Sequence, residues 1–128
     1  MMIKRIESGA RMSQAVVHAG IVYLAGQIDA TGEDAATQTR AVLKSIDRLL
    51  GEAGTDRTRL LQAFIWLADM TDFAAMNAVW EEWIEGVNAP IRATGEVGLA
   101  TPQHKVEIIV TAALPERPRR PSADVATR

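Results

Sequence analysis

At 128 residues the chain is long enough for one domain with a real core and too short for two ordinary ones. A hydrophobic content of 48 % with 23 % charged residues is that of a soluble globular protein, and the longest apolar run, Ala63 to Ala68, is far short of a bilayer span. The net charge of −2 offers no basic field for phosphates, the lack of cysteine removes thiolate chemistry and disulfides, and two histidines, His18 and His104, are too few and too far apart for a metal centre. No nucleic-acid partner, no membrane and no metal are therefore expected. The opening MMIKRIES has no apolar signal core, and a cytoplasmic protein is expected.

In chain order, Met2 to Glu7 alternates as a short first strand broken by Ser8, Gly9 and Ala10. Ala15–His18 and Ile21–Ala25 are β-prone runs separated by Ala19-Gly20, a tight hairpin in which Gly20 supplies a positive φ. Gly26, just after the strand, either admits a ligand to the backbone or relieves crowding at a bulge. Asp34 is placed to cap a helix from about Ala35 to Leu50, whose stripe is Ala36, Thr39, Val42, Leu43, Ile46, Leu49 and Leu50; Gly51 and Gly54 end it. Leu60 to Ala68 is a nearly unbroken apolar run and reads as a central strand covered on both faces. Asp72 is the expected cap of a second helix, Phe73 to Ile84, with Phe73, Met76, Trp80, Trp83 and Ile84 on its stripe and Asn77 beside it. Asn88-Ala89-Pro90 turns the chain into the last two strands. From Pro115 onward three prolines among charged and small residues predict a disordered tail, leaving one domain over 1–114.

The predicted order is thus β-β-β-α-β-α-β-β, an α+β domain with a mixed sheet and both helices on one face. The opposite sheet face carries apolar residues such as Ile109 that a monomer would leave in water, so a closed cyclic oligomer is expected.

The chemistry concentrates between Asn88 and Ala112. In the first strand of this stretch Arg92, Thr94 and Glu96 alternate with Ile91 and Ala93; in the second, Glu107 points away from Val106, Ile108 and Val110. A strand-held arginine is a planar fork that fits a carboxylate, and a carboxylate on a neighbouring strand can orient or deprotonate a water. Equally, Arg92 can pair with Glu96 on its own strand and Glu107 can be a solvated sheet residue, since exposed ion pairs are common.

Taken together, Ser13-Gln14-Ala15-Val16, Leu24-Ala25-Gly26-Gln27, Asp72 to Asn77, Pro90-Ile91-Arg92 and Lys105-Val106-Glu107-Ile108 resemble the reactive-intermediate deaminase family, also called RidA or YjgF-like, over Met2 to about Leu114. The resemblance implies a chorismate-mutase-like fold assembled as a trimeric barrel with ligand clefts between subunits. It implies hydrolysis of enamines and imines, such as 2-aminoacrylate, to 2-keto acids and ammonia, with no cofactor. Arg92 then grips the substrate carboxylate and Glu107 positions the water, while Gly26, Asn77, Thr94 and Met12 line the cleft. Met12 stands where a tyrosine closes the pocket in the best-known members, Thr94-Gly95 replaces cysteine and valine, and the turn from Glu85 to Pro90 is shorter. Arg11 would add a second positive charge. Two other readings stand beside this one: a small-carboxylate-binding or regulatory protein without turnover, and an endoribonuclease, which the acidic balance and the lack of a histidine pair oppose.

Overall fold

The computed structural model describes residues 2–116; the expected tail from Arg117 onward lies outside them. Six strands form one sheet, β1 (Lys4–Ile6), β2 (Ala15–His18), β3 (Ile21–Leu24), β4 (Leu60–Leu67), β5 (Ile91–Glu96) and β6 (Val106–Ala113), with helices α1 (Ala35–Ala53) and α2 (Phe73–Trp83). The spatial order is β1-β2-β3-β6-β4-β5, all neighbours antiparallel except β4 and β5, which run parallel. The expected element order and mixed α+β sheet are both present.

The β2–β3 turn holds not only Gly20 (φ 80) but also Ala19 (φ 52) in the left-handed region. Two positive φ values in a two-residue loop match the right-handed twist of the flanking strands. Gly20 suits this conformation, whereas the Cβ of Ala19 makes it costly.

Asp34 caps α1 as expected, its carboxylate accepting from the Thr37 N–H at 2.7 Å. That bond, with help from the Thr37 hydroxyl, holds the Asp34 carboxyl below its ordinary pKa. The helix runs past Gly51 and stops at Gly54, which takes the left-handed cap conformation (φ 94) with its N–H closing on the Gly51 carbonyl. Asp72 stands at the N-cap position of α2, as expected, but makes no side-chain capping bond; Asp69, three residues earlier, accepts from the Thr71 N–H and caps a single 3-10 turn that leads into the helix.

Val42, Leu43, Ile46, Leu49 and Leu50 of α1 and Met76, Val79 and Trp80 of α2 pack on Ala15, Val17, Val22, Leu24, Ala63, Ile65, Leu67, Val106, Ile108 and Val110. Each fully buried aliphatic side chain here contributes about 1.5–3 kcal/mol. The other sheet face is bare. Leu60–Leu67 is paired on both sides but stands next to edge strand β5 rather than at the centre, and it is not covered on both faces, because Phe64 is 38 % exposed; Tyr23 (48 %) and Ile91 (68 %) lie open with it.

Replacing Ala19 by Asn, which tolerates the left-handed conformation, should raise stability by about 0.5–1 kcal/mol. Urea unfolding checks this as a higher midpoint with an unchanged slope.

Candidate functional site

Arg92 lies on β5, at the edge of the sheet, in register with Ala63 of β4. Ala63 is fully buried under the helices, so Arg92 and Thr94 turn toward α2 while Ile91 and Ala93 take the bare face. The half-buried guanidinium sits 5.8 Å from the Phe73 ring centroid and 5.7 Å from that of Trp80, and its Nη1 donates to Asn77 Oδ1 at 2.6 Å. The expected alternative pairing with Glu96 does not form: Glu96 accepts from the Met70 N–H instead. The ion pairs among the described residues join Arg48 to Glu7 and Glu52, and Arg57 to Asp47, leaving the charge of Arg92 uncompensated. Beside it, the Thr94 hydroxyl is buried without a hydrogen-bond partner.

Glu107 stands on β6 opposite Trp66, on the bare face. Its carboxylate lies so close over Gly26 that a Cβ at that position would collide with Oε2. The space over Gly26 is filled by the chain's own Glu107 side chain, so the glycine here relieves crowding against that side chain. Gln27 N and O bond Ile108 across an isolated bridge, and Gln27 Nε2 donates to Gln14 Oε1 at 3.0 Å, which ties the Met12 loop to the same end of the sheet. Met12 and Arg11 are exposed on the rim of a broad concavity shared with Glu7 and Gln14.

The expected site residues thus fall into two groups. Arg92, Asn77 and Thr94 gather under α2, Gly26 and Glu107 meet on the bare face, and the Met12 loop is tied through Gln14 and Gln27 to the same end of the sheet. From Arg92 across to Val110 is two strand spacings, and from Val110 back to Glu107 three residue steps, so their Cα atoms are about 14 Å apart, with side chains on opposite faces. One chain cannot bring both to one small ligand. The groove between α1 and α2, about 270 Å³ and lined by Leu43, Asp47, Val79 and Trp83, contains neither group.

Sequence reading missed the aromatic seat formed by Phe73 and Trp80, which it assigned to the core. It also missed Gln38. This fully buried glutamine bonds the carbonyls of Gly32 and Gln103 and the N–H of Lys105, fixing the chain two residues before Glu107. A polar residue on the apolar stripe of α1 was the available signal. Among the described residues no group of three or more His, Asp or Glu is arranged to hold a metal ion, and no helix is long and apolar enough to cross a membrane.

A one-sided α+β sheet carries, on its edge strand, an arginine without an ion pair among the described residues and, on its bare face, a glutamate, and comparison with known proteins specifies the class. Residues 2–114 match the family model described as Endoribonuclease L-PSP. A RutC family protein from Haemophilus ducreyi is 45 % identical over 114 residues, spanning 88 % of this chain and 97 % of its own. Among solved structures, a YjgF-family member from Neisseria meningitidis superposes with a TM-score of 0.89 at 42 % identity, covering 91 % of this chain and 98 % of that one. YyfA of the Rid protein family from Yersinia pestis gives 0.83 at 30 %, covering 88 % and 100 %. The chain belongs to the RutC/YjgF/Rid family.

A Gly26→Ala substitution should force the Glu107 carboxylate off the backbone while costing under about 1 kcal/mol, because the clashing atom is the free end of a side chain. A crystal structure of the variant checks the displacement, and thermal melting checks the cost.

Proposed function

We propose that this protein is a hydrolase of reactive imines and enamines of 2-keto acids, with Arg92 binding the substrate carboxylate and Glu107 serving the attacking water. The observation that carries the reading is the state of Arg92: a half-buried guanidinium on a rigid strand, seated on two rings and held by a neutral amide, with no carboxylate paired to it among the described residues. A partly desolvated cation in this condition favours an anionic ligand, and its planar fork fits a carboxylate.

The reaction asks little else. The imine carbon is already electrophilic; water adds to it as Glu107 accepts one water proton and passes it to the nitrogen, and the hydroxyl of the resulting carbinolamine then gives up its proton, carried by Glu107 to the nitrogen, as the C–N bond breaks and the 2-keto acid and ammonia are released. Holding reactants in register lowers such a barrier by roughly 7–11 kcal/mol in favourable cases. General-base help adds about 10²–10⁴-fold. The Thr94 hydroxyl and the Met12 loop border the substrate in this picture, and no cofactor takes part.

Because Arg92 and Glu107 point to opposite faces, the proposal includes assembly. Edge strand β5 of one copy lies against the bare face of the next, and three copies close a barrel with a cleft at each seam. This covers Tyr23, Phe64 and Ile91 and joins the two halves of the site. A cytoplasmic setting belongs to the same proposal. A protein that binds 2-keto acids in these clefts without turnover is the second reading, and it needs only the Arg92 half. The family model's endoribonuclease description finds no support in the charge, −2, or in His18 and His104, which lie at opposite ends of the sheet.

An amino-acid oxidase generating an imine in situ provides the assay. The protein should accelerate loss of the imine, Arg92→Ala should lower kcat/KM by about 10- to 100-fold, and Glu107→Gln should lower kcat by about 100-fold or more. Equal rates for wild type and Arg92→Ala would end the deaminase reading; keto-acid binding without imine loss would establish the second.

A further inference from the structure

We infer that Glu81 and Asn77 form a positioning relay that sets which edge of the Arg92 guanidinium is presented to a ligand. The inference rests on Arg92 being the carboxylate grip proposed above.

Asn77 and Glu81 are four residues apart on α2, hence neighbours on one helix face. Asn77 Oδ1 accepts from Arg92 Nη1 at 2.6 Å, and Asn77 Nδ2 donates to Glu81 Oε1 at 3.2 Å. A carboxylate only accepts and a guanidinium only donates, so the amide has one orientation that satisfies both. Flipped, its NH₂ would face the guanidinium N–H and its oxygen would face the carboxylate. Glu81 therefore selects the amide orientation, and the amide anchors Nη1.

With Nη1 anchored and the plane confined by Phe73 and Trp80, the Nε–Nη2 edge remains as the bidentate face. The intermediary's neutrality matters as well. A carboxylate at position 77 would pair with Arg92 and cancel the charge the ligand needs, whereas the amide orients the cation and leaves its charge available. Glu81 is exposed and touches no ligand in this scheme, acting only through Asn77.

The sign of one substitution separates this role from plain electrostatics. Glu81 is a nearby negative charge, so if it acted on an anionic ligand only through its field, Glu81→Ala would tighten binding. The relay requires the opposite. Binding of 2-oxobutanoate to the full-length protein, followed by titration calorimetry, should weaken about two- to threefold in Glu81→Ala and about tenfold in Asn77→Ala. The double variant should bind no more weakly than Asn77→Ala, since Glu81 has nothing left to orient. Glu81→Gln, which keeps an acceptor oxygen, should bind at least as well as wild type. In the imine assay Glu81→Ala should raise KM with kcat unchanged.

Tighter binding in Glu81→Ala, or losses that add in the double variant, would overturn the relay. If Asn77→Ala does not fold, the exposed Glu81→Ala and Glu81→Gln pair decides the matter alone. Arg92→Ala separates the grip from the relay. If it binds the keto acid as well as wild type, the function proposed for Arg92 fails. If it loses binding while the Asn77 and Glu81 variants match wild type, the relay alone fails.

Discussion

Alternation of side chains along a strand is the constraint on which everything else in this molecule depends. Because successive residues face opposite sides of the sheet, the register that places Arg92 beside Ala63 also places it under α2, while the register of Glu107 with Trp66 places it on the bare face. A slip of one residue in β5 would exchange Arg92 with Ile91 and destroy the site. The register is held by burial: Thr94 lies in register with fully buried Ile65, and Ile108 is buried on the strand beyond.

The two halves of the proposed site are stabilised in different ways. Arg92 has a dedicated enclosure of rings and an amide, built from a helix whose other residues form the core. Glu107 has a glycine beneath it and a backbone bridge beside it, and its position along the sheet is pinned by Gln38 from the far side. In the proposed assembly the exposed apolar face serves two purposes at once: its burial drives association, and association completes the chemistry. A monomer would then lack an active site as well as a partner for Tyr23, Phe64 and Ile91.

Much of this was legible in the sequence. The stripe of α1, its cap at Asp34, the β2–β3 hairpin and the element order all follow from local patterns that tertiary structure leaves intact. What was not legible has physical causes. The apolar run of β4 cannot reveal whether its second face is covered by helices or by another copy of the chain, so Phe64 and Leu61 read as core and are exposed here. Asp72 holds the N-cap position of α2 without a side-chain capping bond, because the chain enters the helix from a 3-10 turn that Asp69 caps, and no residue pattern marks that turn. For the site, alternation predicts that Arg92 opposes Ile91 and that Glu107 opposes Ile108, but not which of these sides meets the helices. In β6 the apolar side is buried; in β5 the apolar side, Ile91 and Ala93, is exposed, and the arginine side turns inward. That inversion depends on the parallel pairing with β4 and is invisible in the strand itself.

Subunit complementation tests the central claim, that Arg92 of one copy and Glu107 of the next form one site, most directly. Arg92→Ala and Glu107→Ala proteins, each strongly impaired alone and assayed at substrate concentrations below KM, are mixed in equal amounts under conditions of subunit exchange, with mixed assemblies verified by native mass spectrometry. In a cyclic trimer three quarters of the assemblies are mixed and each has one intact seam of three, so imine hydrolysis should return to about one quarter of the wild-type rate. Mixed assemblies that remain as impaired as their parents would contradict the account.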